Sequence, residues 1–307
     1  MSSSSSILCL AGPTASGKTS LSIKIAHELN AEIISVDSAL VYKGMDIGTA
    51  KPSLDEREGI PHHLIDICDP AEHFSVSNFL DRANGLIFDI QSRGKLPLLV
   101  GGTMLYFKTL LDGLANLPDR DEAIRKKIET QANEEGWPKL YEALKKVDEI
   151  IANKISPQDS QRIQRALEVY QLTGVPMSLL LEKAKQSQLK FKLLALFPSD
   201  RAWLHQRIEQ RFERMMVQGF LKEMQVFVDR GDLSLDMSSM RCVGYRQAWE
   251  YIQGQICYDA FMQKSLAATR QLAKRQLTWL RNWKGEIQYF DPLEGGLEEK
   301  VLKAIAD

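Results

Sequence analysis

Eight residues near the start of the chain, Gly12-Pro13-Thr14-Ala15-Ser16-Gly17-Lys18-Thr19, match the phosphate-loop pattern G-x-x-x-x-G-K-[ST]. The apolar run at 7–10 before them is typical of a buried strand, and the periodic apolar positions at 21–29 predict a helix after them. In this arrangement backbone N–H groups converge on phosphate oxygens at a helix N-terminus. Lys18 adds a positive charge, and Thr19 offers a hydroxyl to phosphate-bound Mg²⁺. The motif is compatible with transfer of a phosphoryl group and with release of a phosphate as a leaving group.

Short β-rich runs recur along the chain and alternate with helical stretches. They lie at 7–10, 32–36, 96–100, 191–197 and 287–290. Several are continuously apolar, as expected for parallel strands buried on both faces. The alternation predicts an α/β fold, with a parallel sheet like that of P-loop NTPases flanked by helices.

The middle of the chain departs from this pattern. No convincing strand lies between 118 and 185, whereas charge-rich helical segments lie at 121–134, 138–147 and 161–172. We therefore expect an inserted all-helical domain at 118–187. It would interrupt a core whose first part is 1–117 and whose second part, with the C-terminal helices, is 188–307.

Composition limits the possible classes of protein. The chain has 307 residues, 44% hydrophobic, enough for one large domain or a domain with an insertion. The four cysteines lack C-x-x-C spacing, which favours reduced thiols in a cytosolic protein over disulfides or a zinc site. His62-His63 follows Pro61 in a predicted loop. No run is long and apolar enough to span a membrane, and positions 1–6 do not resemble a secretion signal, so we expect a cytoplasmic protein without membrane contact, and a monomer.

Net charge is −1, so no global field indicates a nucleic-acid partner. Positions 270–284 nevertheless carry five basic and no acidic residues, together with Trp279 and Trp283. Charge combined with stacking surface is typical of nucleic-acid contacts. The same pattern also fits a solvated helix face beside a core-packing tryptophan pair.

Two further segments follow predicted strands. Asp37, after the second strand, could hold Mg²⁺, could face a substrate opposite the phosphates, or could simply cap a following helix. Gly101-Gly102-Thr103 follows the strand ending at Val100, where two glycines allow close backbone approach to a ligand. Both segments are expected at the carboxyl edge of the sheet, where ligands bind in α/β folds.

The absence of certain motifs argues against two classes of phosphate-binding protein. The chain has no N-K-x-D guanine motif, and it has neither H-R-D nor D-F-G of protein kinases. A small-molecule kinase with a phosphate loop remains possible, but it does not explain the basic segments. A non-catalytic RNA-binding protein explains those segments, but it does not explain the intact Lys18, Thr19, Asp37 and Thr103.

The combination of segments resembles the tRNA dimethylallyltransferase family in its bacterial form. Besides the phosphate loop, the matching segments lie at 37–52, 101–106, 161–168, 241–246 and 269–276, in the expected order. The resemblance implies an enzyme that transfers a dimethylallyl group from its pyrophosphate to N6 of the adenosine 3′-adjacent to the anticodon (position 37 of the tRNA). It thereby implies tRNA and dimethylallyl pyrophosphate as partners, with Mg²⁺ as cofactor.

The resemblance also suggests roles for individual residues. Residues 12–19 would bind pyrophosphate, with Thr19 as a metal ligand. Asp37 would be the general base, and Thr103 would lie near the bridging phosphate oxygen. Among Arg207, Arg211 and Arg214 on one helix, Arg211 is expected to be a further pyrophosphate contact, because a guanidinium suits phosphate. The alternative is a solvated network with Glu209 and Glu213.

The matched segments, together with Arg125 on the first insertion helix, imply tRNA contacts at Asp37, Ser38, Ala39, Leu40, Thr103, Arg125, Gln161, Arg162, Ile163, Gln164, Arg165, Arg241, Cys242, Val243, Gly244, Tyr245, Arg246, Lys274, Arg275, Gln276, Leu277, Thr278, Trp279, Leu280 and Arg281. RNA loops are bound through phosphates and stacked bases, for which basic, amide and aromatic side chains are suited.

Overall fold

The structure is a computed structural model that describes residues 7–113, 117–182 and 189–306. In these residues six strands form one sheet, in which every adjacent pair is parallel. The strands are β1 (Ile7–Ala11), β2 (Ala31–Val36), β3 (His62–His63), β4 (Leu96–Gly101), β5 (Phe191–Leu196) and β6 (Gln288–Phe290). Their order across the sheet is β3-β2-β4-β1-β5-β6. The predicted α/β fold with a parallel sheet is therefore confirmed.

The described residues divide into two compact units, within Met1–Thr109 with Gln188–Asp307 and within Leu110–Ser187. We call them the sheet unit and the helical unit. The division falls at Leu110, whereas the sequence suggested a boundary at 118.

Helices flank the sheet in the first unit. They are α1 (Lys18–Glu28), α2 (Val76–Ser92), α3 (Met104–Asp112, which runs into the division), α9 (Arg201–Gln218), α10 (Phe220–Asp229), α11 (Tyr245–Ile252), α12 (Tyr258–Arg281) and α13 (Leu297–Ala306). Apolar residues of α1 and α13 pack with Leu8, Leu10 and Leu98 in one buried cluster. This burial of apolar surface covers one face of the central strands.

The helical unit has its own core. Its helices are α4 (Glu122–Glu135), α5 (Trp137–Val147), α6 (Glu149–Ala152), α7 (Ser160–Thr173) and α8 (Met177–Glu182). Buried apolar residues of α4, α5 and α7, including Ile128, Leu144 and Ile163, pack together. Asp121 caps α4 by accepting a hydrogen bond from the Ile124 N–H at 2.8 Å.

Most elements lie where the sequence placed them, with shifts of a residue or two at their ends. One prediction is wrong, because His62 and His63 form β3 rather than a loop and pair with Ile33 and Ile34 of β2. Their side chains explain this edge strand, since His63 Nε2 lies 2.8 Å from an oxygen of the buried Glu32.

Two general findings concern the whole described chain. None of the helices within 7–113, 117–182 and 189–306 is long and apolar enough to cross a membrane. All four cysteines are free thiols, and Cys9 and Cys68 are buried.

Candidate active site

A cavity of about 570 Å³ opens at the carboxyl ends of the strands in the sheet unit. The phosphate loop after β1, the Asp37 segment after β2 and the 101–103 turn after β4 all line it. Helix α9 contributes Arg211, and α12 contributes Gln276. Segments far apart in sequence thus meet at the sheet edge where α/β proteins bind ligands.

The phosphate loop has the backbone of an anion site. Ala15 and Gly17 both adopt left-handed conformations, with φ of 63° and 94°. Such residues alternating with right-handed ones turn successive N–H groups toward one concave side. Gly17 directly precedes α1, so the concavity also receives the positive end of a helix dipole. A left-handed alanine costs about 1–3 kcal/mol, a strain that is typically found at functional positions.

The Lys18 ammonium group lies over this loop. Its Nζ donates to the carbonyl oxygens of Gly12 at 2.9 Å and Pro13 at 2.6 Å. Burial, with a smaller contribution from repulsion by Arg211, lowers the pKa of Lys18 to about 7, although Asp37 opposes the shift. A bound polyanion would restore the charge of Lys18, so the site is electrostatically prepared for one.

Arg211 is the arginine of α9 that reaches the cavity. Its Nη2 donates to the Thr49 carbonyl at 2.8 Å, and burial lowers its pKa. Arg207 instead donates to the Ala15 carbonyl at 2.9 Å, and Arg214 donates to Gln210 of its own helix. Of the three arginines compared in the sequence, only Arg211 lines the cavity, and it is not part of a solvated surface network.

Asp37 is held by a tight local turn. Its Oδ1 accepts hydrogen bonds from the Ala39 N–H at 2.8 Å and the Leu40 N–H at 3.3 Å. No helix follows it directly, so the interpretation of Asp37 as a helix cap is wrong. Both hydrogen bonds use Oδ1, and the half-buried side chain lines the cavity. The second carboxylate oxygen can therefore serve a substrate.

Two hydrogen bonds hold Thr103 beside the Asp37 segment. Its N–H donates to the Val36 carbonyl at 3.2 Å, and its hydroxyl oxygen accepts from the Ser38 N–H at 3.1 Å. Gly101 makes this approach possible, because a Cβ there would lie 2.0 Å from the Val36 carbonyl oxygen. The close packing of β4 against β2 thus sets the Thr103 hydroxyl at the cavity wall.

Gln276 has a different role from the RNA contact that the sequence suggested. Its Oε1 accepts from the Thr14 N–H at 2.8 Å, and its Nε2 donates to the Gly102 carbonyl at 2.9 Å. The side chain is buried, and a Cβ on Gly102 would lie 2.3 Å from Nε2. The amide therefore bridges the phosphate loop and the turn that carries Thr103, which leaves no exposed amide for RNA.

The other proposed contacts on α11 and α12 differ in exposure. Lys274, Arg275, Thr278, Trp279 and Arg281 are exposed, as are Arg241 and Arg246. Cys242, Val243 and Gly244 line the cavity, and Leu277 is half-buried. Tyr245 and Leu280 are fully buried, so the expectation of side-chain contacts with RNA is contradicted for both. They are core residues that happen to lie between exposed ones.

The helical unit has fewer free polar groups than expected. Gln161 and Arg162 are exposed, but Ile163 and Gln164 are buried, so their side chains do not offer RNA contacts. Gln164 accepts from Arg125 Nη2 at 2.8 Å. Arg165 donates at 2.9 Å to Glu168, a fully buried carboxylate. The Arg125–Gln164 hydrogen bond joins α4 to α7, whereas the Arg165–Glu168 pair lies within α7.

The wall of the cavity also contains residues that the sequence did not single out. Tyr42, His62, Ile65 and Phe74 line it, together with Ser35, whose buried hydroxyl has no hydrogen-bond partner among the described residues. Tyr42 lies within the matched segment at 37–52, and the others belong to no recognisable motif, because their positions depend on how β2 and the loops after it pack.

Two family models match the chain. One, described as IPP transferase, matches residues 40–283, and one described as Isopentenyl transferase matches residues 5–67. Two curated relatives are each described as tRNA dimethylallyltransferase. The relative from Francisella philomiragia is 53% identical over 296 residues, 96% of each chain. The relative from Methylococcus capsulatus is 50% identical over 301 residues, 97% of this chain and 96% of the relative.

Solved structures give the same similarity in three dimensions. A full-length tRNA isopentenylpyrophosphate transferase from Bacillus halodurans superposes with a TM-score of 0.73 at 38% identity, covering 98% of this chain and 95% of that one. A eukaryotic dimethylallyltransferase, described as acting on tRNA, gives a TM-score of 0.82 at 30% identity, covering 99% of this chain and 78% of that one.

Proposed function

The chain belongs to the IPP transferase family, and from that premise we propose that it transfers a dimethylallyl group from dimethylallyl pyrophosphate to N6 of the adenosine 3′-adjacent to the anticodon of tRNA. The carbon–oxygen bond of the donor breaks and its electron pair leaves with pyrophosphate. A carbon–nitrogen bond forms at N6, which loses one proton. The observation that carries the proposal is the meeting of the Lys18 loop, Thr103 and Asp37 at one cavity.

The leaving group is a polyanion, and the cavity offers suitable partners for it. The concave loop at 12–19 would hold its oxygens through N–H groups, with Lys18 and Arg211 supplying positive charge. The Thr103 hydroxyl would donate to the departing bridging oxygen. These groups stabilise negative charge as it develops, so the phosphate loop works here without phosphoryl transfer.

Asp37 would accept the N6 proton. The amine of adenine is a poor nucleophile because its lone pair is delocalised into the ring, so a carboxylate within hydrogen-bond reach helps as the bond forms. The turn at Oδ1 fixes the orientation of Asp37, and Oδ2 would accept the proton.

The oxygen donors of the cavity fit Mg²⁺ that arrives with pyrophosphate. Thr19 and Asp37 line the cavity, while the described residues contain no cluster of three or more His, Cys, Asp or Glu side chains that could hold an ion alone. Mg²⁺ commonly binds through few protein oxygens, phosphate and water. Thr19 would be its ligand, and the ion would add positive charge beside the leaving group.

Recognition of tRNA would use local positive charge. Exposed basic residues on α12, together with Arg241 and Arg246, can contact phosphates, and Trp279 is 38% exposed and can stack on a base. Asp37 is half-buried, so the target base must be extruded from the loop to reach it.

One experiment separates this function from its rivals. The protein is incubated with an anticodon stem-loop RNA, labelled dimethylallyl pyrophosphate, ATP and Mg²⁺. We expect label in the RNA. Consumption of ATP without label transfer would instead indicate a kinase, and RNA binding with neither reaction would indicate a non-catalytic binder.

A further inference from the structure

The backbone at 46–48 is held by one carboxylate from a distant helix. Glu223 of α10 accepts hydrogen bonds through Oε2 from the N–H groups of Asp46 at 3.0 Å and Ile47 at 2.6 Å, and through Oε1 from Gly48 at 3.1 Å. Hydrogen bonds to a charged acceptor are about twice as strong as neutral ones. Three successive backbone groups are thus fixed by a side chain about 175 residues away.

Tyr245 fixes the carboxylate in turn. Its hydroxyl donates to Oε1 of Glu223 at 2.5 Å. Burial, followed by the negative charge of Glu223, raises the pKa of Tyr245 far above its ordinary value, so the phenol stays protonated and remains a donor.

Gly48 permits the loop to press against this pair. A Cβ at position 48 would lie 2.2 Å from the ring of Phe220 and 2.6 Å from the ring of Tyr245. Both rings are fully buried and pack edge to face with centroids 5.2 Å apart, so they have no room to move aside. The backbone of this loop is therefore held in one position against the rings of Phe220 and Tyr245.

The loop ends at the partner of Arg211. Thr49 follows Gly48 directly, and its carbonyl accepts the Nη2 hydrogen bond of Arg211 at 2.8 Å. A carbonyl attached to a fixed backbone is a fixed acceptor. The orientation of the guanidinium in the cavity therefore depends on where the 46–49 backbone lies.

We propose that Glu223 is a positioning residue, which aims Arg211 at the leaving pyrophosphate by fixing the 46–49 backbone. This inference rests on the proposed function, because it needs Arg211 to contact pyrophosphate. Glu223 is not among the residues that line the cavity, and its contacts given above are all to N–H and O–H groups of the protein.

The test compares the wild type with Glu223→Gln. The amide keeps the size of the side chain, but it loses the charge and puts an NH₂ group against backbone donors. We expect affinity for inorganic pyrophosphate and kcat for transfer each to fall by about tenfold to a hundredfold, the range for a displaced catalytic group, with KM for the RNA unchanged. Tyr245→Phe, the milder change, should lower both quantities less. Asp229→Asn, at the exposed end of α10, is the control and should behave as the wild type.

A double-mutant cycle separates positioning from general stability. In an Arg211→Ala background, Glu223→Gln should lower pyrophosphate affinity and kcat by less than twofold, because the guanidinium through which Glu223 acts has been removed. The inference is overturned if Glu223→Gln lowers pyrophosphate affinity and kcat as much in that background as alone. It is also overturned if Arg211→Ala changes pyrophosphate affinity while neither Glu223→Gln nor Tyr245→Phe does. If Arg211→Ala alone changes neither turnover nor pyrophosphate affinity, the proposed role of Arg211 fails instead.

Discussion

Three charged side chains interact at the phosphate-loop end of the cavity: Lys18, Arg211 and Asp37. Burial lowers the pKa of both cations, Arg211 adds to the lowering of the Lys18 pKa, and Asp37 opposes the shift in both. At the scale of single residues, the free site is therefore short of negative charge, and a polyanion supplies it.

Lys18 should make pyrophosphate binding depend on pH. Its pKa is lowered to about 7, so Lys18 is mostly neutral at pH 8, and binding of a polyanion favours the charged form. We expect affinity for inorganic pyrophosphate to fall as pH rises from 7 to 9, with uptake of nearly one proton on binding at pH 8. Titration calorimetry in buffers of different ionisation enthalpy measures both quantities.

Lys18→Met is the control for this dependence, because it removes the titrating group while pyrophosphate's own protonation remains. The part of the pH dependence due to Lys18 is the difference between the two proteins. Identical profiles and identical proton uptake would contradict the assignment.

Asp37→Asn tests the general base. The side-chain oxygen of the introduced amide can still accept from the N–H groups at 39 and 40, so the local turn should survive. We expect transfer to slow by at least about 100-fold, the usual contribution of general acid–base catalysis, while RNA affinity is retained. Turnover near that of the wild type in single-turnover assays would remove Asp37 from this role.

At the scale of elements, contacts between distant segments set the site. Helix α12 reaches the phosphate loop through Gln276, whose partner Thr14 is 262 positions away. The strand β2 is tied to β3 and α2 by the buried Glu32, which contacts His63 and Arg93.

Gln276→Ala should weaken the site from within. It leaves the Thr14 N–H and the Gly102 carbonyl without their partner, at a cost of about 1–3 kcal/mol in unfolding free energy if water does not replace the amide. We expect weaker pyrophosphate binding and a lower midpoint of chemical denaturation, with RNA affinity little changed.

The exposed Lys274→Ala on the same helix should show the opposite pattern, with unchanged stability and weaker, less salt-dependent RNA binding. If Gln276→Ala instead lowered only RNA affinity, the bridging role would be wrong.

Glu32 should contribute stability that acid removes. The hydrogen bond from Arg93, helped by Lys95 and His63, holds the pKa of Glu32 well below its ordinary value of 4.5, although burial opposes this. A carboxylate with a lowered pKa stabilises the fold fully above its ordinary pKa and loses that contribution progressively as pH falls below it. We expect Glu32→Gln to lower the unfolding free energy by about 1–3 kcal/mol at pH 7.

The difference in unfolding free energy between Glu32→Gln and the wild type, measured by urea titration, should become smaller below pH 4.5. Glu28→Gln, on the exposed face of α1, serves as the control and should change stability little. A deficit that is the same at pH 3.5 and pH 7 would show that the carboxylate's charge is not responsible.

How far the sequence predicts these elements depends on the range of the interactions. Four strands, β1, β2, β4 and β5, follow from mainly apolar runs, because burial on both faces leaves a local signature. The sequence also predicts β6, although two of its three residues are exposed. The two-residue β3 does not follow from the sequence, since it exists through pairing with β2 and the His63–Glu32 contact. The roles of Gln276 and Glu223 likewise cannot be predicted, because no residue close to either in sequence indicates that its partners lie about 262 and 175 positions away.

At the scale of the whole molecule, a nearly neutral chain contains local sites of opposite character. Net charge is −1, yet exposed basic residues cluster on α12, and the cavity is rich in positive charge. The motif at 12–19 indicates phosphate, and we propose its use for a leaving group because Asp37 and Thr103 line the same cavity.

The central claim is that prenyl transfer to N6 and release of pyrophosphate are one event at this cavity. The most direct measurement follows both products in a single turnover, with one stem-loop carrying the target adenosine and another carrying inosine, which lacks the exocyclic amine. We predict one labelled prenyl group in the adenosine RNA for each pyrophosphate released, and neither product with the inosine RNA. Pyrophosphate released without label in the RNA, or label in the inosine RNA, would contradict the claim.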